Sequence, residues 1–91
     1  MNLAKKHRRS LQTIFERPTR ANIRWQEIEQ LFKAAGAEIS EGTGSRVRIK
    51  LANQVKTFHR PHPAKEAKRY AVEAARTFLQ DHRITPDEFP L

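Results

Sequence analysis

The stretch Ser45-Arg46-Val47-Arg48-Ile49-Lys50-Leu51 alternates without a break. Successive side chains of a strand point to opposite faces, so Val47, Ile49 and Leu51 share an apolar face and Arg46, Arg48 and Lys50 share a cationic one. Such a strand covers a core on one side and faces an open surface on the other.

The neighbouring segments supply partners for that apolar face. Upstream, Gly42 and Gly44 frame a turn, and residues 37–41 alternate weakly, consistent with a first strand. Downstream, Ala52-Asn53 forms a tight turn into a third strand at 55–59, which Pro61 and Pro63 stop. Trp25, Ile28, Leu31, Phe32 and Ala35 recur at helical spacing, predicting a helix over 23–35 with Gly36 as its stop. A longer helix is predicted over 64–82, with Ala71, Ala75, Phe78 and Leu79 as its core stripe and Val72 at the margin. At the front, residues 2–16 read as a short amphipathic helix carrying Leu11, Ile14 and Phe15; Pro18 ends it and residues 18–22 connect. The tail at 85–90 reads as extended.

The order is therefore helix, three antiparallel strands, helix, with an extra N-terminal helix. Helices flanking a meander pack on one face of the sheet and leave the other open. The expected class is α+β, with the α-β-β-β-α plan of double-stranded-RNA-binding domains. Residues 1–21 are expected to form a basic helix and connector, and residues 22–91 the domain proper.

Ninety-one residues leave little room for a deep small-molecule pocket or a dinucleotide fold. The balance of 18 Lys plus Arg against 10 Asp plus Glu gives a formal net charge of +8, which favours polyanion partners. The charge is uneven. Lys5, Lys6, Arg8 and Arg9 are grouped without an acid, as are Arg46, Arg48, Lys50, Lys56 and Arg60. There is no cysteine, hence no disulfide and no thiolate metal site. No apolar run approaches the roughly 20 residues of a membrane span. The basic N-terminus lacks the apolar segment of a secretory signal, so the default expectation is cytoplasmic.

Two features carry chemistry. Arg46, Arg48 and Lys50 on one strand face repel one another unless an anion sits among them, and arginine suits bidentate phosphate contact. A merely solvated basic strand is the other reading. The second feature is His59-Arg60-Pro61-His62-Pro63. Histidine can serve as general base and acid near neutral pH; RNA contact, metal ligation or a plain surface position are the alternatives. Hairpin register bears on this choice. A two-residue turn at Ala52-Asn53 sets Leu51 opposite Gln54 and Arg46 opposite His59, placing Phe58 in the core and His59 on the basic face. Its cost is an exposed Val55, with Gln54 and Lys56 on the core side. A three-residue turn would instead bury Val55, Thr57 and His59. Burying phenylalanine rather than histidine favours the first. Lys65, Lys68 and Arg69, at the start of the last predicted helix, extend the RNA-binding set to Arg46, Arg48, Lys50, Arg60, Lys65, Lys68 and Arg69.

The Trp25–Gly36 helix, Gly44-Ser45 opening a strand, and His62-Pro63 before the last helix together resemble the HicA toxin family of bacterial toxin–antitoxin systems. The resemblance spans roughly residues 22–82. It implies a metal-independent endoribonuclease acting on mRNA, with no cofactor, held inactive by a HicB-like antitoxin. The family's catalytic histidine usually follows the Gly-Ser pair directly, and here Arg46 holds that position. Arginine cannot act as a base near neutral pH. The expected catalytic set is accordingly His59, His62 and Arg46, with the base drawn from His59 or His62. A non-catalytic RNA-binding module on the same fold is the alternative, and a basic face that only docks an acidic partner is a third.

Overall fold

The computed structural model covers residues 1–91. Three helices, α1 (Lys5–Ile14), α2 (Trp25–Ala34) and α3 (Arg69–Asp81), accompany three strands, β1 (Glu38–Glu41), β2 (Arg46–Leu51) and β3 (Gln54–His59). The strands form one antiparallel meander in the order β1-β2-β3. The architecture is the expected α+β, double-stranded-RNA-binding-domain-like plan, with α1 as the additional helix.

Alternation in β2 does what its pattern demands. Val47, Ile49 and Leu51 are buried, and Arg46, Arg48 and Lys50 are exposed. Phe58 is the buried residue of β3, and its ring links sheet to helices. It lies 5.3 Å from Trp25 and 6.1 Å from Phe32, while Phe32 lies 5.7 Å from Phe78 of α3. Tilted rings at these separations add to the burial energy of a thin core. The β2–β3 register follows the two-residue turn: Leu51 opposes Gln54, Val47 opposes Phe58 and Arg46 opposes His59. Ala52 takes the left-handed backbone conformation (φ +52°) that such a turn asks of its first central residue. Val55 is exposed, as this register requires. Gln54 and Lys56 face the helix side yet also remain exposed, whereas Leu51 opposite Gln54 is buried, so the helix layer covers β2 and leaves this part of the edge strand β3 open.

Three expectations are corrected. The last helix starts at Arg69, not at residue 64. Residues 64–68 are extended because their backbone pairs with the segment before α2: Trp25 N–H donates to Lys65 O and Ala67 N–H to Ile23 O. Those two bonds commit the Lys65 carbonyl and the Ala67 N–H to the neighbouring segment rather than to a helical turn, with Ile23 and Ala67 buried. Val72, placed at the margin, is fully buried. The tail is a turn, with Phe89 N–H donating to Thr85 O, that seats Ile84 in the core and Phe89 against it.

Helix α1 shares the core of the rest of the chain. Leu11 and Ile14 are fully buried. Arg76 of α3, only 5% exposed, fastens its C-terminal end. The guanidinium donates from Nε to Ile14 O (3.0 Å), and from Nη2 to Glu16 O (3.2 Å) and Thr19 Oγ1 (2.8 Å). A cation at the carbonyl end of a helix satisfies orphaned acceptors and complements the helix dipole.

Candidate functional site

The site is assembled where β3 ends and α3 begins. Pro61 and Pro63 carry the chain away from the sheet, and the pairing of residues 64–67 with the segment before α2 brings it back to the start of α3. Between these two ends lies a cleft of about 180 Å³ lined by Ser45, His59, Arg60, Pro61, His62, Lys68, Tyr70 and Ala71. Both histidines of the His59–Pro63 stretch thus line one cavity together with Lys68. Lys68 is also the residue preceding the first turn of α3, where no side chain caps the helix and no acid occupies the first turn. Free N–H groups at a helix start, beside a lysine and two histidines, favour an anion.

His59 belongs to both the cleft and the open sheet face. Arg46 stands directly opposite it across the β2–β3 ladder, and cross-strand partners have Cβ atoms roughly 4.5–5.5 Å apart. Arg46 itself does not line the cleft. Next along the face, Arg48 lies between Ser40 and Thr57 and donates from Nη2 to Glu41 O (3.0 Å). Lys50 lies between Glu38 and Val55. The cationic face therefore runs from the cleft along β2, with one carboxylate, Glu38, at its far edge.

The remaining expected RNA contacts do not all join this surface. Arg60 projects to the helix side and is paired on both edges of its guanidinium. Nε donates to Glu29 Oε1 (2.7 Å), and Nη1 and Nη2 grip the two carboxylate oxygens of Glu41, the latter at 2.9 Å. Glu29 Oε1 also accepts from the Trp25 indole N–H at 2.8 Å. The Arg60 hydrogen bonds hold the Glu41 carboxyl below its ordinary range, and the charge of Arg60 acts in the same direction. Arg60 in turn is held more firmly protonated by Glu41 and Glu29. Three of its five N–H donors engage the two carboxylates, so Arg60 fixes the end of β3 against α2 and β1 and its charge is already matched there. Lys65 lies apart from the histidines, in a second cleft of about 330 Å³ with Arg24, Trp25 and Pro63. Arg69 donates from Nε to Thr19 O (3.2 Å) and does not line the histidine cleft.

Two lining residues were missed in the sequence. Ser45 is the turn residue whose carbonyl accepts from Arg60 N–H, extending the β2–β3 ladder by one bond. Tyr70 falls off the Ala71, Ala75, Phe78, Leu79 stripe, so helical periodicity gives it no place in the core. An aromatic residue off the apolar stripe, directly after Lys68-Arg69, is the signal that pointed to it.

A family model described as the HicA toxin of bacterial toxin–antitoxin systems matches residues 25–81, well over half of the chain. The chain belongs to the HicA toxin family. The match runs from the first residue of α2 to the last of α3, so the HicA region contains the whole sheet and the histidine cleft, while α1 lies outside it. HicA proteins are toxins of toxin–antitoxin systems, which gives this chain a toxin role and an antitoxin as partner. Comparison with curated proteins and with solved structures returns no match. No helix is long and apolar enough to cross a membrane.

Proposed function

We propose that this HicA toxin is a metal-independent endoribonuclease that cleaves mRNA in the cleft between β3 and α3, acts in the cytoplasm, and is held inactive by a HicB-like antitoxin. The observation that carries this reading is the presence of His59 and His62 in one cleft with Lys68 at the uncapped start of a helix. One neutral imidazole takes the proton of a ribose 2′-hydroxyl. The freed oxygen attacks the adjacent phosphorus, the bond from phosphorus to the 5′-oxygen breaks, and the second, protonated imidazole gives that leaving oxygen its proton. The products are a 2′,3′-cyclic phosphate and a 5′-hydroxyl. Lys68, the first N–H groups of α3 and Arg46, across the ladder from His59, stabilise the charge developing on the phosphorus oxygens, a largely electrostatic contribution. Arg48 and Lys50 hold the RNA backbone along β2. Arg60 has a structural part in this reading, because Glu29 and Glu41 already neutralise its charge; Lys65 and Arg69 remain peripheral contacts.

The test is cleavage of a labelled mRNA by His59→Ala, His62→Ala and the double variant, with folding checked by circular dichroism. Loss of a general base or acid typically costs about 10²–10⁴ in rate. Each single variant is expected to fall in that range, and a wild-type rate that drops in both acid and alkali is expected of such a pair. Full cleavage by the double variant would exclude a histidine mechanism.

One observation favours a second reading, a non-catalytic RNA-binding module. Arg46 stands where the resemblance puts the family's histidine, so the scaffold could hold RNA without cutting it. In that case wild type binds but does not cleave, and Arg46→His restores cleavage.

A further inference from the structure

The chain has one tryptophan, one tyrosine and five phenylalanines. Trp25, Phe32, Phe58 and Phe78 are buried, and Phe15 and Phe89 pack against the core. Tyr70 alone stays out, at 61% exposure. A single exposed aromatic needs no explanation by itself. Its place does. Tyr70 lies in the first turn of α3, directly before the buried Ala71 and Val72, which fix the backbone beneath it. Its side chain lines the same cleft as His59, His62 and Lys68.

Size then decides what the ring can meet. Pockets that engulf a small organic ligand run to about 300–1,000 Å³. The histidine cleft, at about 180 Å³, takes a phosphate and the edge of a ribose and leaves the base outside. A nucleotide whose phosphate sits against His59, His62 and Lys68 must therefore carry its base at the mouth, where Tyr70 is. Aromatic rings stack on bases of any identity because every base has a π-face.

We propose that Tyr70 is the stacking platform for the nucleobase next to the phosphate held in the histidine cleft, an assignment that rests on the RNA reading above. Tyr70 thereby positions the substrate and makes the cleft prefer base-bearing, unpaired RNA over a bare sugar–phosphate chain. The ring does this work, so the hydroxyl is dispensable.

The experiment compares binding of two uncleavable octamers, one RNA with every 2′-hydroxyl methylated and one abasic oligomer with the same 2′-O-methyl sugar–phosphate backbone. Wild type should bind the base-bearing octamer roughly tenfold more tightly, at the low end of what a stacked aromatic contributes. Tyr70→Ala should lose that preference while keeping wild-type affinity for the abasic chain, and Tyr70→Phe should retain it. Equal preference in wild type and Tyr70→Ala overturns the stacking role, and loss of preference in Tyr70→Phe overturns the dispensable hydroxyl and with it the proposal. Failure of wild type to bind either octamer would instead overturn the RNA reading itself. The substitutions are at an exposed site, and circular dichroism confirms the fold.

Discussion

Arg48 and Arg60 look alike in sequence, both cations in the basic stretch through β2 and β3. Their neighbours separate them. Arg48 is exposed on the sheet's open face, whereas Arg60 is clamped by Glu29 and Glu41 and shares Glu29 with the Trp25 indole. Arg60→Ala is therefore expected to lower Tm by a few degrees, because it leaves the partly buried Glu29 without its cation. Arg48→Ala should leave Tm unchanged and weaken RNA binding. Thermal melts and filter binding on both variants check this, and equal RNA losses with equal Tm values would contradict it. The pair also fixes a pH dependence. The folded-state Glu41 carboxyl titrates below its unfolded value, so its contribution is full above the ordinary carboxylate value and is lost as pH falls from there through the lower folded-state value. The Tm gap between wild type and Arg60→Ala should shrink on acidification.

At the scale of elements, α1 is the informative one, since it lies outside the family match yet inside the core. Its own sequence makes a poor helix: no side chain caps its start, and no acid occupies the first turn. Ten residues are too few to persist alone in water. It is held by Leu11 and Ile14 in the core and by Arg76 on its last carbonyls. Leu11→Ala should cost about 2–5 kcal/mol, the usual range for emptying a buried leucine site. Against a total stability of about 5–15 kcal/mol this is a large share, read directly from urea unfolding. A loss under about 0.5 kcal/mol would mean that α1 detaches without consequence for the domain. Arg76→Met, which keeps most of the volume but removes the donors, should cost about 2 kcal/mol through the three orphaned acceptors.

For the whole molecule, charge decides more than shape. The net charge of +8 is spread over the β2 face, the cleft and α1, and a polyanion that follows the first two should meet four to six cations. Log K against log salt is then expected to fall with a slope of about −3 to −4 for single-stranded RNA, at about 0.7 per phosphate neutralised. A slope near zero in a filter-binding series would remove the polyanion reading whatever the fold. The antitoxin should use the same surface. In the complex, Arg46 and Arg48 should be shielded from arginine-specific modification, and His59 from histidine-specific modification. Undiminished reactivity would place inhibition elsewhere on the molecule.

The sequence by itself determined the sheet. Alternation in Ser45–Leu51 fixed which face is buried, and the contest between Phe58 and His59 for the core settled the β2–β3 register, because desolvating an imidazole costs free energy that burying a phenyl ring returns. The cationic face and the facing of Arg46 with His59 follow from those two facts alone. Only the tertiary structure decided the site's membership. Residues 64–68 have a helical composition, but the Lys65 carbonyl and the Ala67 N–H pair with the backbone before α2, which shortens α3 and sets Lys68 and Tyr70 at its uncapped start. Likewise Arg60 is indistinguishable from its neighbours until Glu29 and Glu41, distant in the chain, close on it. Periodicity reports which face a residue takes, a property of adjacent residues. Which charges are neutralised and which helix start is left open depend on long-range pairings, and local sequence carries no record of those.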